Sequence, residues 1–307
     1  MLPPKSFTFL SIAAIRSFAH PVGGSLEFLN ERALGTVGQN VSLIQNLAQI
    51  CGTGGPSDEL RRAHADFLEQ SRQSDKERRA SSPIVVDTYI HFVSTTDQMQ
   101  HYLYSIRTTM ITSQLSILNT LYRPAGISFT LLSTTFSVNN AWATDANSTQ
   151  MKQSLRRGSY AALNLYFQTN LSTAPYTHSA QDPLLGYCSL PTQIVYQTPD
   201  GAVEEYPRAD YALDGCNVLA GSMPKAPWPA PGYNLGKTAV HEVGHWLGLL
   251  HTFQDNSCAP RDPGDYCDDT PQESVSTMGC PAGKDSCPDS PGLDPISNYM
   301  DYSTDAW

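Results

Sequence analysis

From Pro83 onward, apolar and polar positions alternate as a pleated strand requires. Ile84, Val86, Thr88, Ile90 and Phe92 share one face, and Val85, Asp87, Tyr89 and His91 share the other. This mix of apolar residues on both sides predicts a strand buried nearly all round. The period then becomes helical, with Ile106, Met110, Ile117 and Leu121 recurring within a stretch from Asp97 to Tyr122. Pro124-Ala125-Gly126 ends that stretch, and Ile127 to Leu132 predicts a second strand. A further helix is predicted over Gln150 to Arg157 and a third strand over Ala162 to Phe167. Strand, helix, strand, helix, strand builds a parallel sheet with right-handed crossovers. The fold class is therefore α/β, with a twisted, mostly parallel sheet. Leu184 to Pro191 and Gly215 to Leu219 are short strand candidates, one of them an antiparallel edge beside a cleft. Such an edge can hold an extended peptide by main-chain hydrogen bonds. Pro224 to Pro231 reads as a loop that feeds the next helix, with Asn234 as its cap.

The first eighty residues follow a different pattern. Met1 to Ala19 carry Lys5, an apolar run from Phe7 to Ile15, then Ser17-Phe18-Ala19, which reads as a secretory signal cut after Ala19. Residues 20–80 hold a polar helical stretch, Ser57 to Arg79, with Leu60, His64, Phe67 and Leu68 on one face. The stretch ends in Lys76-Glu77-Arg78-Arg79, a basic linker open to a processing protease. This region is read as a pro-segment ahead of a catalytic domain spanning 81–307.

Composition narrows the setting. The chain has 307 residues, 16% of them charged, and a net charge of −10. It offers no basic surface for nucleic acid and no run long enough to cross a membrane. Sequons at Asn40, Asn147 and Asn170 would carry glycan in a secreted chain. Of the 7 cysteines, all but Cys51 lie in the second half: Cys188, Cys216, Cys258, Cys267, Cys280 and Cys287. That clustering suits an oxidised, disulfide-stapled lobe.

The candidate chemistry lies in Lys237 to His251, KTAVHEVGHWLGLLH. His241 and His245 are four residues apart, one helical turn above each other, and can grip one metal ion. Glu242 points about a quarter turn away, toward a water on that metal. Gly248 lets the chain leave the helix, so that His251 returns as a third nitrogen ligand. Three neutral imidazoles leave a fourth tetrahedral position open, as in a catalytic zinc site. Composition alone would produce the whole pattern in roughly one such chain in 10⁵. Beyond His251 the chain is rich in Cys, Asp, Pro and Gly. Asp265, Asp268, Asp269 and Thr270 there form a cluster of hard oxygens, a candidate calcium site or a solvated acidic turn.

Together these residues resemble the metzincin zinc proteases, whose signature is HExxHxxGxxH followed by a turn containing methionine. The signature is complete at His241, Glu242, His245, Gly248 and His251, with Met300 as the turn methionine. Within that clan the chain is most similar to the pappalysin family, in its secreted fungal and microbial form. The supporting phrases are Tyr233 to Thr238, His251-Thr252-Phe253, Gly264-Asp265, Asp269-Thr270-Pro271, Gly279-Cys280-Pro281, Gly292 to Pro295 and Asn298 to Tyr302.

The resemblance implies a zinc endopeptidase that acts on polypeptides as a monomer. Met300 would lie beneath the zinc, and the Tyr302 hydroxyl would stabilise the oxyanion of the tetrahedral intermediate. Cys51-Gly52-Thr53 is similar to a pro-segment motif whose thiolate fills the open zinc position and keeps the enzyme latent. The family's calcium loop matches at Asp269 and Thr270. Cys188 with Cys216, and Cys258 with Cys287, are the preferred disulfide pairs, and Asp301 or Asp305 would line the specificity pocket. Family members continue past the methionine turn with another cysteine and a C-terminal helix, whereas this chain stops at Trp307. That departure implies a truncated lower lobe. It also sets up the alternative expectation, a protease-like binding module without activity.

Overall fold

A computed structural model describes residues 51–73, 83–105, 109–171, 184–192, 195–197, 203–260 and 262–306. The predicted signal, the sequon at Asn40 and the basic linker at Lys76 to Arg79 lie outside the described residues. The chain forms helix α1 (Asp58–Gln73), strand β1 (Ile84–Ser94), helices α2 (Met99–Ser105) and α3 (Ile111–Tyr122), and strand β2 (Ile127–Val138). Short helices α4 (Asn140–Ala143) and α5 (Ser148–Leu155) precede β3 (Leu163–Gln168), β4 (Gly186–Cys188), β5 (Val195–Gln197) and β6 (Val203–Glu205). Strand β7 (Cys216–Leu219) leads to helix α6 (Lys237–Leu247).

The main sheet has the order β2-β1-β3-β7-β4. Its first four strands pair in parallel, and β4 closes one edge antiparallel to β7. Strand β1 departs from the sequence expectation. Val85 is 54% exposed and Asp87 is exposed too, so only the second half of β1 is buried on both faces. Strand β3 pairs with β1 only from Thr88 onward, so the first half lies at the sheet margin, paired with β2. Strand β2 also runs six residues past the predicted end at Leu132, its outer flank alternating exposed Leu132, Phe136 and Val138. Within the helix predicted from Asp97 to Tyr122, the described residues form α2 and α3, and Ile106 lies outside them.

Most of the core lies between the sheet and α3 with α6, where Ile90, Phe92, Leu118, Leu165, Val218, Val243 and Trp246 are fully buried. Burial of such side chains contributes about 1.5–3 kcal/mol each before entropy is counted. A polar knot lies beside it. The Arg156 guanidinium donates to Asp214 at 3.0 Å, Ser189 donates to the same carboxylate at 2.7 Å, and the Trp246 indole N–H donates at 3.2 Å. Asp214 therefore ties α6 to the loops on either side of β4 and β7. Lys152 caps the same loop through the Leu213 and Gly215 carbonyls, and burial pushes its ammonium down to about 8.

Disulfides join Cys188 to Cys216 across the β4–β7 pair and Cys258 to Cys287 in the irregular C-terminal lobe. Cys267 and Cys280 are free and exposed, and Cys51 is free and buried. An all-paired set of six is therefore absent.

Helix α1 begins at Ser57, whose hydroxyl accepts the Leu60 N–H at 3.2 Å, and Asp58 and Glu59 favour its positive end. Leu60 and Ala63 are buried, Arg61 donates twice to Asp255 at 2.7 and 3.0 Å, and His64 stacks on Tyr266. The polar helix expected from sequence is thus packed on the body of the domain over the segment after α6.

Two packing features make direct predictions. Asp214→Ala strands the Arg156 charge in a site where both partners are at most 4% exposed, and it should cost about 3–5 kcal/mol in urea unfolding. A loss below 1 kcal/mol would show that the knot is not structural. At Gly244, an added Cβ would collide with the Met300 sulfur. Gly244→Ala should therefore lower stability by about 1–3 kcal/mol, despite alanine's better helix propensity. A raised melting temperature would contradict the close approach of helix and turn.

Candidate metal and active site

Helix α6 is framed by glycines rather than by the predicted Asn234 cap. Gly236 takes φ +86° at its start, where a Cβ would lie 3.0 Å from both Gln114 and Pro224. Gln114 donates to the Gly236 carbonyl at 2.9 Å, and the neighbouring Leu235 N–H donates to Asp305 at 2.6 Å. At the other end Gly248 takes φ +106°, and its N–H and that of Leu249 close on the His245 and Gly244 carbonyls. This left-handed exit carries the chain back so that His251 faces His245.

The three imidazoles converge. His245 Nε2 lies 3.1 Å from His241 Nε2 and 3.0 Å from His251 Nε2. The other ring nitrogens decide what those distances mean. His241 Nδ1 lies 2.7 Å from the Tyr299 carbonyl, and His245 Nδ1 lies 2.8 Å from the Leu249 carbonyl. A carbonyl oxygen only accepts, so each Nδ1 carries the proton and each facing Nε2 presents a lone pair. Burial pushes His241 down to about 4 and His245 and His251 well below the ordinary range, so the rings are neutral. Two lone pairs pointed at each other at hydrogen-bond distance repel, and a cation between them relieves the repulsion. The donor set fits zinc. Cys51 joins it: its Sγ and the three histidine nitrogens all lie within 4.8 Å of one another, the one such group of three or more His, Cys, Asp or Glu among the described residues.

Glu242 follows His241 and is fully buried. Burial pushes its carboxyl up to about 8, while hydrogen bonds from Cys51 and Thr53 pull it back. The Thr53 hydroxyl donates to Glu242 Oε2 at 3.3 Å and accepts the Cys188 N–H at 2.9 Å. The Gly52 N–H donates to the Gly186 carbonyl at 2.8 Å. The segment at Cys51 thus lies along the outer edge of β4 and runs parallel to it. Gly186 permits the close fit, since a Cβ there would lie 2.8 Å from the Glu242 side chain. Burial also pushes the Cys51 thiol up, with Glu242 adding to the effect.

The methionine turn forms the other wall. Asn298 accepts the Met300 N–H, and Asp301 accepts the N–H groups of Thr277 and Tyr302 at 2.8 and 2.7 Å. Met300 is buried with its sulfur under Gly244. The Tyr302 ring lies 5.1 Å from His251 and 5.8 Å from His241, and its hydroxyl donates to the Cys51 carbonyl at 3.3 Å. The cleft beside the histidines is lined by Tyr233, Lys237, Thr238, Tyr299, Asp301 and Asp305, among others. Asp301 and Asp305 both line this cleft, and each also accepts a backbone N–H, which ties them to the turn and to the chain before α6.

The acidic turn lies apart from this centre. Asp265 is buried, and its carboxyl is pushed up to about 6 by burial, with the Asp269 charge adding to the rise and hydrogen bonds from Cys267 and Thr270 opposing it. Sequence reading missed three contacts at the main site. Phe253 stacks on His251 at 4.8 Å, Thr53 reaches the Glu242 carboxylate, and Gly186 admits Glu242 under the edge strand. Phe253 and Thr53 each stand two residues from a residue singled out by its chemistry. Nothing in the sequence marked Gly186.

Comparison with known proteins agrees with this geometry. A family model described as "Pregnancy-associated plasma protein-A", a peptidase family, matches residues 198–306. An extracellular metalloprotease of Aspergillus fumigatus is 42% identical over 277 residues, covering 83% of this chain and 82% of that protein. Extracellular metalloprotease 1 of Coccidioides posadasii is 44% identical over 226 residues, covering 73% and 71%. Among solved structures, a promirolysin mutant from Tannerella forsythia aligns with a TM-score of 0.55 at 20% identity, covering 83% of this chain and 87% of that one. Mature mirolysin in complex with a cleaved peptide aligns with a TM-score of 0.51 at 21% identity, covering 74% and 86%. These structural likenesses speak for the fold, and the sequence relatives for the family. The chain belongs to the pregnancy-associated plasma protein-A, or pappalysin, family, as a metzincin-type metalloendopeptidase.

Proposed function

We propose that this protein is a secreted zinc endopeptidase made in latent form, with Glu242 as its general base. The observation that carries the reading is the meeting of three histidine nitrogens and the Cys51 sulfur within 4.8 Å. Three nitrogens are a catalytic ligand set, and the fourth donor belongs to a segment that precedes the domain. Extracellular metalloproteases among the relatives support secretion.

His241, His245 and His251 would hold zinc, which would lower the pKa of a bound water and polarise the scissile carbonyl. Glu242 would take a proton from the attacking water and hand it to the leaving amine. The Tyr302 hydroxyl, freed from the Cys51 carbonyl, donates to the oxyanion. The Gly186 carbonyl and Cys188 N–H, which hold the Cys51 segment in the latent chain, hold the main chain of a polypeptide substrate once that segment leaves. Cys51 and Thr53 block the site in two ways, one at the metal position and one at the general base. A cut in the basic linker near Arg79 removes them. In the acidic turn, Asp265, Asp269 and Thr270 form a second, calcium-binding site. The support is a buried carboxyl whose ionised form is disfavoured beside a second carboxylate, which a divalent cation would relieve.

Glu242→Gln should retain zinc by elemental analysis and lower kcat/KM by about 10²–10⁴-fold on peptides; near-native turnover would sink the mechanism. Cys51→Ala should let the uncut chain hydrolyse peptides without processing, and a variant as silent as the uncut parent would refute the thiol latch. The calcium reading has its own pH signature. Asp265 is raised from the ordinary 3.8 to about 6, so its ionised form burdens the fold above pH 6, and the burden disappears below about pH 4. Calcium should therefore raise the melting temperature more at pH 7.5 than at pH 5. An equal shift at both pH values, or none, overturns the site.

A further inference from the structure

Strand β4 is the shelf on which the Cys51 segment lies, yet it is only three residues long. Besides its pairing with β7 and the disulfide, a polar anchor at Tyr187 holds it. The Tyr187 hydroxyl donates to both carboxylate oxygens of Asp145, at 3.0 and 2.9 Å, and lies 2.9 Å from the Ser148 hydroxyl. Asn217 of β7 and Gln168 of β3, both fully buried, donate to the same Asp145 oxygen at 3.2 and 3.1 Å. Asp145 reaches this position from a left-handed backbone with φ +63°, a conformation that asparagine and aspartate tolerate better than other side chains.

We infer that Asp145, through Tyr187, is a positioning group for the peptide-binding edge. It ties three strands of the sheet to one carboxylate and fixes the register of β4. The residues on either side of Tyr187 carry the functional contacts. The Gly186 carbonyl accepts the Gly52 N–H, and the Cys188 N–H donates to Thr53. Gly186 also packs directly on Glu242. A shift of β4 therefore moves the backbone partners of any bound chain, whether pro-segment or substrate. The geometry suits the task because Tyr187 sits in register with Asn217, so the clamp pulls on the centre of the strand. The substrate half of this inference rests on the proposed peptidase function; the pro-segment half does not.

The test uses the full chain. Tyr187→Phe removes the hydroxyl and keeps the ring beside Lys152. Asp145→Asn keeps the left-handed backbone and removes the charge. Iodoacetamide labelling, mapped by mass spectrometry, should show Cys51, only 1% exposed, reacting about five- to ten-fold faster in Tyr187→Phe, the loss expected of one charge-assisted hydrogen bond. Asp145→Asn should change the rate in the same direction by a smaller factor. The exposed thiols Cys267 and Cys280 should keep their wild-type rates. After processing, long peptides should show KM raised about five-fold and kcat lowered less than two-fold. A Cys51 rate within two-fold of wild type in both variants overturns the clamp, as does equal acceleration of all three thiols, which would mean general loosening. A wild type that cleaves no peptide after processing and zinc addition defeats the peptidase reading, and the thiol rates then still decide the clamp.

Discussion

Two backbone carbonyls govern this site. Those of Tyr299 and Leu249 face His241 Nδ1 and His245 Nδ1, and because a carbonyl has no proton to give, they fix both tautomers. The Nε2 atoms of His241 and His245 then present lone pairs to each other, a repulsion that a cation between them would relieve. Both carbonyls come from irregular chain. One belongs to the methionine turn, and the other follows the left-handed exit at Gly248. Buried carboxylates of the C-terminal lobe brace the turn and the chain beside His251. Asp301 gathers the turn, and Glu273 accepts from Thr252 next to His251 while pairing with Lys284.

The opposite wall of the cleft depends on one short strand. Gly186 lies so close to Glu242 that only glycine fits, and its carbonyl is already engaged by Gly52. The Cys51 segment runs parallel to β4 and brings a thiol to the histidines and a hydroxyl to Glu242. Its grip is extended by α1, where Arg61 meets Asp255 and His64 lies on Tyr266. A few hydrogen bonds and one buried sulfur therefore act together where this segment covers the histidines and Glu242.

Legibility in the sequence followed physical range. The histidine spacing, the helix that carries it and the order of strands came from periodicities of 3.6 and 2, which are local properties of the chain. The limits of β2 and the exposed half of β1 were not legible, because neighbouring elements and the sheet margin set them. The start of α6 misled for the same reason. Asn234 is a good cap by composition, but Gly236 can take a left-handed turn between Gln114 and Pro224, and that tertiary fit placed the boundary.

The sequence by itself determined the chemistry on offer: three imidazoles and a carboxylate at fixed intervals, glycines where the backbone must reverse, and a cysteine ahead of the domain. Those features depend on covalent spacing, which folding cannot alter. The tertiary structure decided what the groups face. It alone set the two carbonyls that fix the tautomers, the approach of Gly186 to Glu242, and the Asp145 carboxylate behind Tyr187. Each of these joins residues far apart along the chain. Their contact depends on packed distances of about 3 Å, which no local pattern of residues encodes.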